Sequence, residues 1–82
     1  MKVLFKFEII DSELTKKNIA LKGESIRSFA VLIGISPSML SQVINGKRKA
    51  SAIAAGKIAK GLNKEIEEIF LILKFTSKQN VV

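Results

Sequence analysis

Ile35-Ser36-Pro37-Ser38-Met39-Leu40-Ser41-Gln42-Val43-Ile44-Asn45-Gly46-Lys47-Arg48-Lys49 is the stretch that decides how this chain folds. Ser36 ahead of Pro37 reads as a helix start, because a serine hydroxyl accepts from an orphan amide and proline loses nothing in a first turn. Leu40, Val43 and Ile44 recur at spacings of three and four and point to one side, which leaves Ser38, Met39, Ser41 and Gln42 facing out. Asn45-Gly46 stops the helix, and three cations follow. Upstream, Ser25 caps another short helix ending at Ile33, with Ile26, Phe29, Ala30 and Ile33 on its inward face. Ala30 is small enough for two helix backbones to approach closely there. Gly34 supplies the positive φ that a tight turn between the helices demands, and Ile35 plugs the core beside it. Two short helices on a glycine turn, the second ending in a basic loop, make a unit suited to the DNA major groove.

Outward from this unit the chain reads as one domain over residues 1–82. Lys2 to Ile10 alternates, with Val3, Phe5, Phe7 and Ile9 on one face, and is expected to be a strand. Asp11 or Ser12 caps a first helix through about Lys22, with Leu14, Ile19 and Leu21 available to the core and Gly23 as its stop. Ser51 caps a fourth helix to Leu62, with Ile53, Ile58, Ala59 and Leu62 as its core stripe. Gly56 and Gly61 weaken that helix by about 1 kcal/mol each relative to alanine, so close packing is expected to compensate. Asn63 ends it, and Glu65 to Leu71 makes a short fifth helix, with its acids against the N-terminal dipole. A second strand over 71–76 and a tail from Ser77 complete the chain, with the helical core at about 12–71.

Composition removes several kinds of function. With no cysteine and no histidine, thiol nucleophiles, histidine bases and the usual zinc ligands are absent, and the seven acids are scattered. An enzyme is not expected, nor is a cofactor. No run approaches the roughly 18 apolar residues of a membrane span, and the apolar start is broken by Lys6 and Glu8, unlike a signal peptide. The expected location is the cytoplasm, at the nucleoid. The net charge is +7. Residues 25–64 hold Arg27, Lys47, Arg48, Lys49, Lys57, Lys60 and Lys64 and no acid, whereas both flanks are nearly balanced. That distribution points to a polyanionic partner.

The stretch Ser25 to Phe70 resembles the Cro/CI phage-repressor-like helix-turn-helix family, also called XRE. The matching pieces are Ser25-Ile26-Arg27-Ser28-Phe29-Ala30, Ile33-Gly34-Ile35-Ser36, Leu40-Ser41-Gln42-Val43-Ile44-Asn45-Gly46-Lys47-Arg48, Lys57-Ile58-Ala59-Lys60 and Ile66-Glu67-Glu68-Ile69-Phe70. The resemblance implies a mainly α, five-helix lambda-repressor-like domain whose third helix, about 37–44, enters the major groove of double-stranded DNA. It implies base reading at Ser36, Pro37 and Ser38 and one turn on at Gln42, with phosphate held at Asn45, Gly46, Lys47 and Arg48. Two positions depart from the family pattern. Ile26 stands where a phosphate-touching Gln is common, which passes that task to Arg27. Pro37 replaces a common base-reading side chain and leaves fewer specific donors.

On chemistry alone, Gln42 is the best base reader, since its amide pairs with adenine N6 and N7. Ser38 and Ser41 offer hydroxyls to bases or phosphates, and Met39 offers an apolar contact to a thymine methyl. Ser36 serves as a helix cap whether or not it also meets DNA. Lys47, Arg48 and Lys49 read as phosphate clamps, whereas Lys57 and Lys60 read as solvated. The flanking strands lie outside the family's common core and pair either within the chain or across a two-fold axis. The second arrangement, a homodimer burying Val3, Phe5, Phe7, Leu71, Leu73 and Phe75, is favoured and would serve half-sites about 34 Å apart. The expected activity is transcriptional repression in a bacterium or phage, by excluding polymerase from an overlapping promoter. With no ligand-binding domain after the reader, control would come from a partner or from protein concentration. An antitoxin acting on its own operator and toxin, or a protein-interaction adaptor of the same fold, are the alternatives.

Overall fold

The computed structural model describes residues 2–77, in the order β1 (Lys2–Ile9), α1 (Ser12–Leu21), α2 (Ile26–Ile33), α3 (Pro37–Ile44), α4 (Ala52–Gly61), α5 (Ile66–Ile69) and β2 (Phe70–Ser77). The expected tail beyond Ser77 lies outside the described residues. The fold is mainly helical, as the periodicity requires, and the caps fall where small polar residues precede each helix. Asp11, rather than Ser12, accepts the Leu14 amide at 3.0 Å, and Ser36 and Ser51 accept from Met39 and Ala54 at 3.0 and 3.2 Å. In α2 the cap is reciprocal, with Ser28 Oγ taking the Ser25 amide at 2.9 Å and Ser25 Oγ the Ser28 amide at 3.0 Å.

Helices α1 to α4 all end the same way, with one left-handed residue (Gly23, Gly34, Gly46 and Asn63) and a pair of backbone bonds folded back onto the last turn. After α2, for example, Gly34 (φ 79°) donates to Val31 while Ile35 donates to Ala30 at 3.0 Å. This satisfies carbonyls that would otherwise be orphaned and reverses the chain within two residues.

Phe29, Leu40, Val43, Ile44 and Ile58 are wholly buried, with Ile19 and Phe70 nearly so. Three expected core residues are not there. Leu21 and Ile53 are each 74% exposed and Leu14 is about half exposed. In α1 the inward pair is Thr15 and Ile19, four residues apart, and the Thr15 hydroxyl is satisfied by the Asp11 carbonyl at 2.9 Å. In α4 the stripe is Ala54, Ala55, Ile58 and Ala59, leading to Leu62, so Ile53 falls on the far face. Small residues let α4 lie close to α2. An added Cβ at Gly61 would sit 2.7 Å from Ile33 Cγ2 and 2.8 Å from Phe29 Cζ, so this glycine is a packing residue. Gly56 is different. A Cβ there would meet nothing within 4 Å, so the compensation expected for it is absent.

The two strands pair with each other within the chain, antiparallel, in the register Val3↔Thr76 through Ile9↔Phe70. Helix α5 is correspondingly shorter than expected. Phe70 adopts extended backbone (φ −123°, ψ 143°) and stacks edge-on against Phe7, ring centroids 6.4 Å apart. Phe7 therefore belongs to the chain's own core and is not an interface residue. Towards the tip, Val3, Leu4, Phe5 and Phe75 remain about half exposed.

Gly61→Ala is expected to lower the unfolding free energy by about 1–3 kcal/mol through overpacking against Phe29 and Ile33. Gly56→Ala should instead raise it by up to about 1 kcal/mol, by relieving the backbone entropy cost alone. Urea unfolding midpoints of the two single variants check both signs.

Candidate nucleic-acid interface

Helices α2 and α3 meet at a bend of 115°, inside the range for helix-turn-helix units. As one bent pair they are apolar and long enough to pass for a membrane span by composition, but no single helix among the described residues is. Their apolar residues, Phe29, Ala30, Leu40, Val43 and Ile44, face the core instead. The turn between them is also held from outside, because Lys57 Nζ donates to the Gly34 carbonyl at 3.3 Å. Lys57, expected to be solvated, thus ties α4 to the turn.

Burial of Leu40, Val43 and Ile44 turns the remaining face of α3 outward. Ser36, Ser38 and Gln42 are exposed there, and Gln42 Nε2 lies 3.4 Å from Ser38 Oγ, its neighbour one turn back. Ser41 is half-buried, and Met39 is half-buried with its side chain against the core, which differs from the free outward position expected of it. Pro37, also half-buried, occupies the first turn.

After α3 the chain closes through Gly46 (φ 76°), and the amides at this end are already spent. Asn45 donates to Ser41 at 3.0 Å, Gly46 to Val43 at 3.1 Å and Lys47 to Gln42 at 2.9 Å. The Asn45 side-chain amide also donates to the Ser41 carbonyl at 2.9 Å. The resemblance implied that these amides are phosphate ligands, but here they build the helix end. The exposed groups beyond them are the side chains of Lys47, Arg48 and Lys49.

That loop is not left to wander. Ala50 exchanges both backbone bonds with Phe7 of β1, at 2.9 and 2.7 Å, so the cations are strung between the end of α3 and the strand edge. Arg48 and Lys49 share a shallow cleft with Leu4, Lys6 and Phe75, which adds Lys6 to the basic surface. Nothing in the sequence linked Lys6 to residues 48 and 49. The alternation of β1 placed it on the polar face, but the pairing of Phe7 with Ala50 joins segments far apart in the chain. Arg27 is exposed in the first turn of α2. Among the described residues the single ion pair is Lys16–Glu13 at 3.8 Å, so no carboxylate neutralises any of the cations from Arg27 to Lys64.

A five-helix domain presenting α3 outward from a 115° turn, with a pinned basic loop at its end, defines a helix-turn-helix domain. The chain belongs to the Cro/CI-type helix-turn-helix family HTH_3, which matches residues 16–69 and leaves both strands outside the match. It is also 37% identical over 46 residues to a protein described as "Uncharacterized HTH-type transcriptional regulator YvzC" of Bacillus subtilis (strain 168). That similarity spans 56% of this chain and 60% of the relative, less than two thirds of its length. No solved structure matches the chain.

Ser36→Ala should cost about 1 kcal/mol of stability through loss of the cap. Gln42→Ala, on the solvent side of the same helix, should stay within about 0.5 kcal/mol. Thermal unfolding followed by circular dichroism separates the structural residue from the one free for recognition.

Proposed function

We propose that this chain is a sequence-specific double-stranded DNA-binding regulator of transcription that acts as a repressor, with α3 lying in the major groove. The observation that carries this reading is the exposed Ser36, Ser38 and Gln42 of α3, followed just past its end by three cations that no acid among the described residues neutralises. Family membership and a relative named as a transcriptional regulator support it.

In this reading Gln42 and Ser38 contact base edges, and Ser36 and Ser41 add hydroxyls at the ends of the same surface. Met39 contributes through whatever edge its half-buried side chain leaves exposed. Lys47, Arg48 and Lys49 neutralise phosphates on one side of the groove and Arg27 on the other, while Asn45 and Gly46 shape the turn that aims them. Phosphate contacts set register and carry no sequence information, so specificity falls to the few polar groups of α3. With Pro37 in the first turn, that set is small. Two copies reading a symmetric site would double it, and a homodimer through the terminal strands provides this. Repression follows from occupancy of a promoter, in the cytoplasm of a bacterium or its phage.

Binding to random duplex DNA across a salt series tests this directly. The wild-type slope of log K against log salt should correspond to several phosphates and fall by about 2–3 when Lys47, Arg48 and Lys49 are all changed to Ala. Gln42→Ala should leave that slope unchanged and lower affinity only for a selected operator, by about 1–3 kcal/mol. Weak binding that ignores the triple substitution would overturn the reading.

A further inference from the structure

We propose that the cleft between β1 and the loop after α3 grips the DNA backbone, and that Lys6 neutralises a phosphate there in addition to those met by Lys47, Arg48 and Lys49. This deepens the DNA-binding reading above and rests on it. The cleft is lined by Leu4 and Lys6 of β1, Arg48 and Lys49 of the loop, and Phe75 of β2. Three segments far apart in the chain thus bring three cations and two apolar side chains to one place. Lys6 and Phe75 lie outside the residues 16–69 that match the family, so this surface is an addition to the common helical unit.

The exchange of backbone bonds between Phe7 and Ala50 fixes the arrangement. Both of those residues turn inward, at 6% and 2% exposure. Successive side chains of extended backbone alternate between faces, so their neighbours Lys6 and Lys49 turn outward on the same side. Lys6 stands one residue from this pin, opposite Leu73 of β2. Leu4 and Phe75, which oppose each other across the ribbon, continue the same face. Lys74 supplies the contrast. It pairs with Phe5 on the other face of the ribbon, away from Arg48 and Lys49, and has no part in the cleft.

Convergent cations without a carboxylate call for an anion from outside. No acid lines the cleft, and Glu8, two residues along the same face, forms no ion pair with Lys6, Arg48 or Lys49. Like charges held close repel one another, and an apolar floor lowers the local dielectric and strengthens the effect. A phosphate relieves that repulsion. The apolar residues suit the same ligand, because a lysine stem lies along apolar surface while its ammonium stays in water. Lys6 is half-buried, as that posture requires. DNA is favoured over a small anion on two grounds. The cleft is too shallow to enclose a free ligand, whereas small-molecule sites bury about 70–90% of what they bind. It also continues directly from Lys47 at the end of α3, so a backbone followed past that helix runs into it.

Two lysines of one ribbon, equal in charge and opposite in facing, make the test. In a salt series on random duplex DNA, Lys6→Gln should lower the slope of log K against log salt by about 0.9, the contribution of one phosphate. Its deficit relative to the wild type should therefore shrink about 3.5-fold between about 50 and 200 mM salt. Lys6→Arg, which keeps the charge, should keep the wild-type slope, and so should Lys74→Gln. Phosphates carry no sequence information, so the loss from Lys6→Gln should be equal on random DNA and on a selected operator. Glutamine preserves most of the stem, and unchanged helical dichroism shows that folded chains are being compared. A wild-type slope in Lys6→Gln, with the slope still falling when Lys47, Arg48 and Lys49 are replaced, overturns the cleft contact and leaves the DNA reading standing. Equal falls for Lys6→Gln and Lys74→Gln overturn it as well, since they report net charge and not a site. A wild-type chain without salt-dependent DNA binding overturns both.

Discussion

Everything that α3 presents to the outside depends on what it buries. An eight-residue helix is too short to hold its shape in water, since nucleation is costly and few bonds repay it. Leu40, Val43 and Ile44, all at 0% exposure, supply the stability and at the same time fix the rotation of the helix about its axis. Once those three are inside, Ser38 and Gln42 have no direction left except outward. Presentation and packing are therefore two faces of one constraint, and a substitution on the inner face would disturb what the outer face presents without touching a polar group.

The second constraint is the backbone exchange between Ala50 and Phe7. It gives the strand ribbon a purpose beyond capping the core, because it anchors the basic loop at its far end. Lys47 is held by the helix end and Ala50 by the strand, which leaves Arg48 and Lys49 on a short tether between two fixed points. Ordering long cationic side chains costs entropy, and restricting their backbone beforehand reduces what must be lost on meeting a phosphate.

Much of the fold is legible along the chain because its punctuation is local. Caps at Asp11, Ser25, Ser36 and Ser51 and left-handed stops at Gly23, Gly34, Gly46 and Asn63 act within five residues of themselves. Apolar assignments failed where periodicity allows two neighbouring stripes. Thr15 displaced Leu14 because a buried hydroxyl bonded to the Asp11 carbonyl costs little. Ile53 fell on the far face because the stripe turned inward is Ala54, Ala55, Ile58 and Ala59, leading to Leu62. At the interface, the outward polar set on α3 and the cation run could be read directly. The use of the Asn45, Gly46 and Lys47 amides and the arrival of Lys6 beside Arg48 could not.

The chain's own sequence determined the five helices, the ends of the first four, the identity of the helix turned outward and the concentration of positive charge around it. These follow from short-range sterics, hydrogen bonding and spacing, each settled over a few neighbouring residues. The tertiary structure alone decided that β1 and β2 pair with each other within the chain, and that Phe70 leaves α5 to stack on Phe7. It also decided that Gly61 is a contact and Gly56 is not, and that Ala50 pairs with Phe7. Those outcomes depend on which distant surfaces meet and how closely, and no local pattern encodes the distance between segments that the chain brings together only after folding.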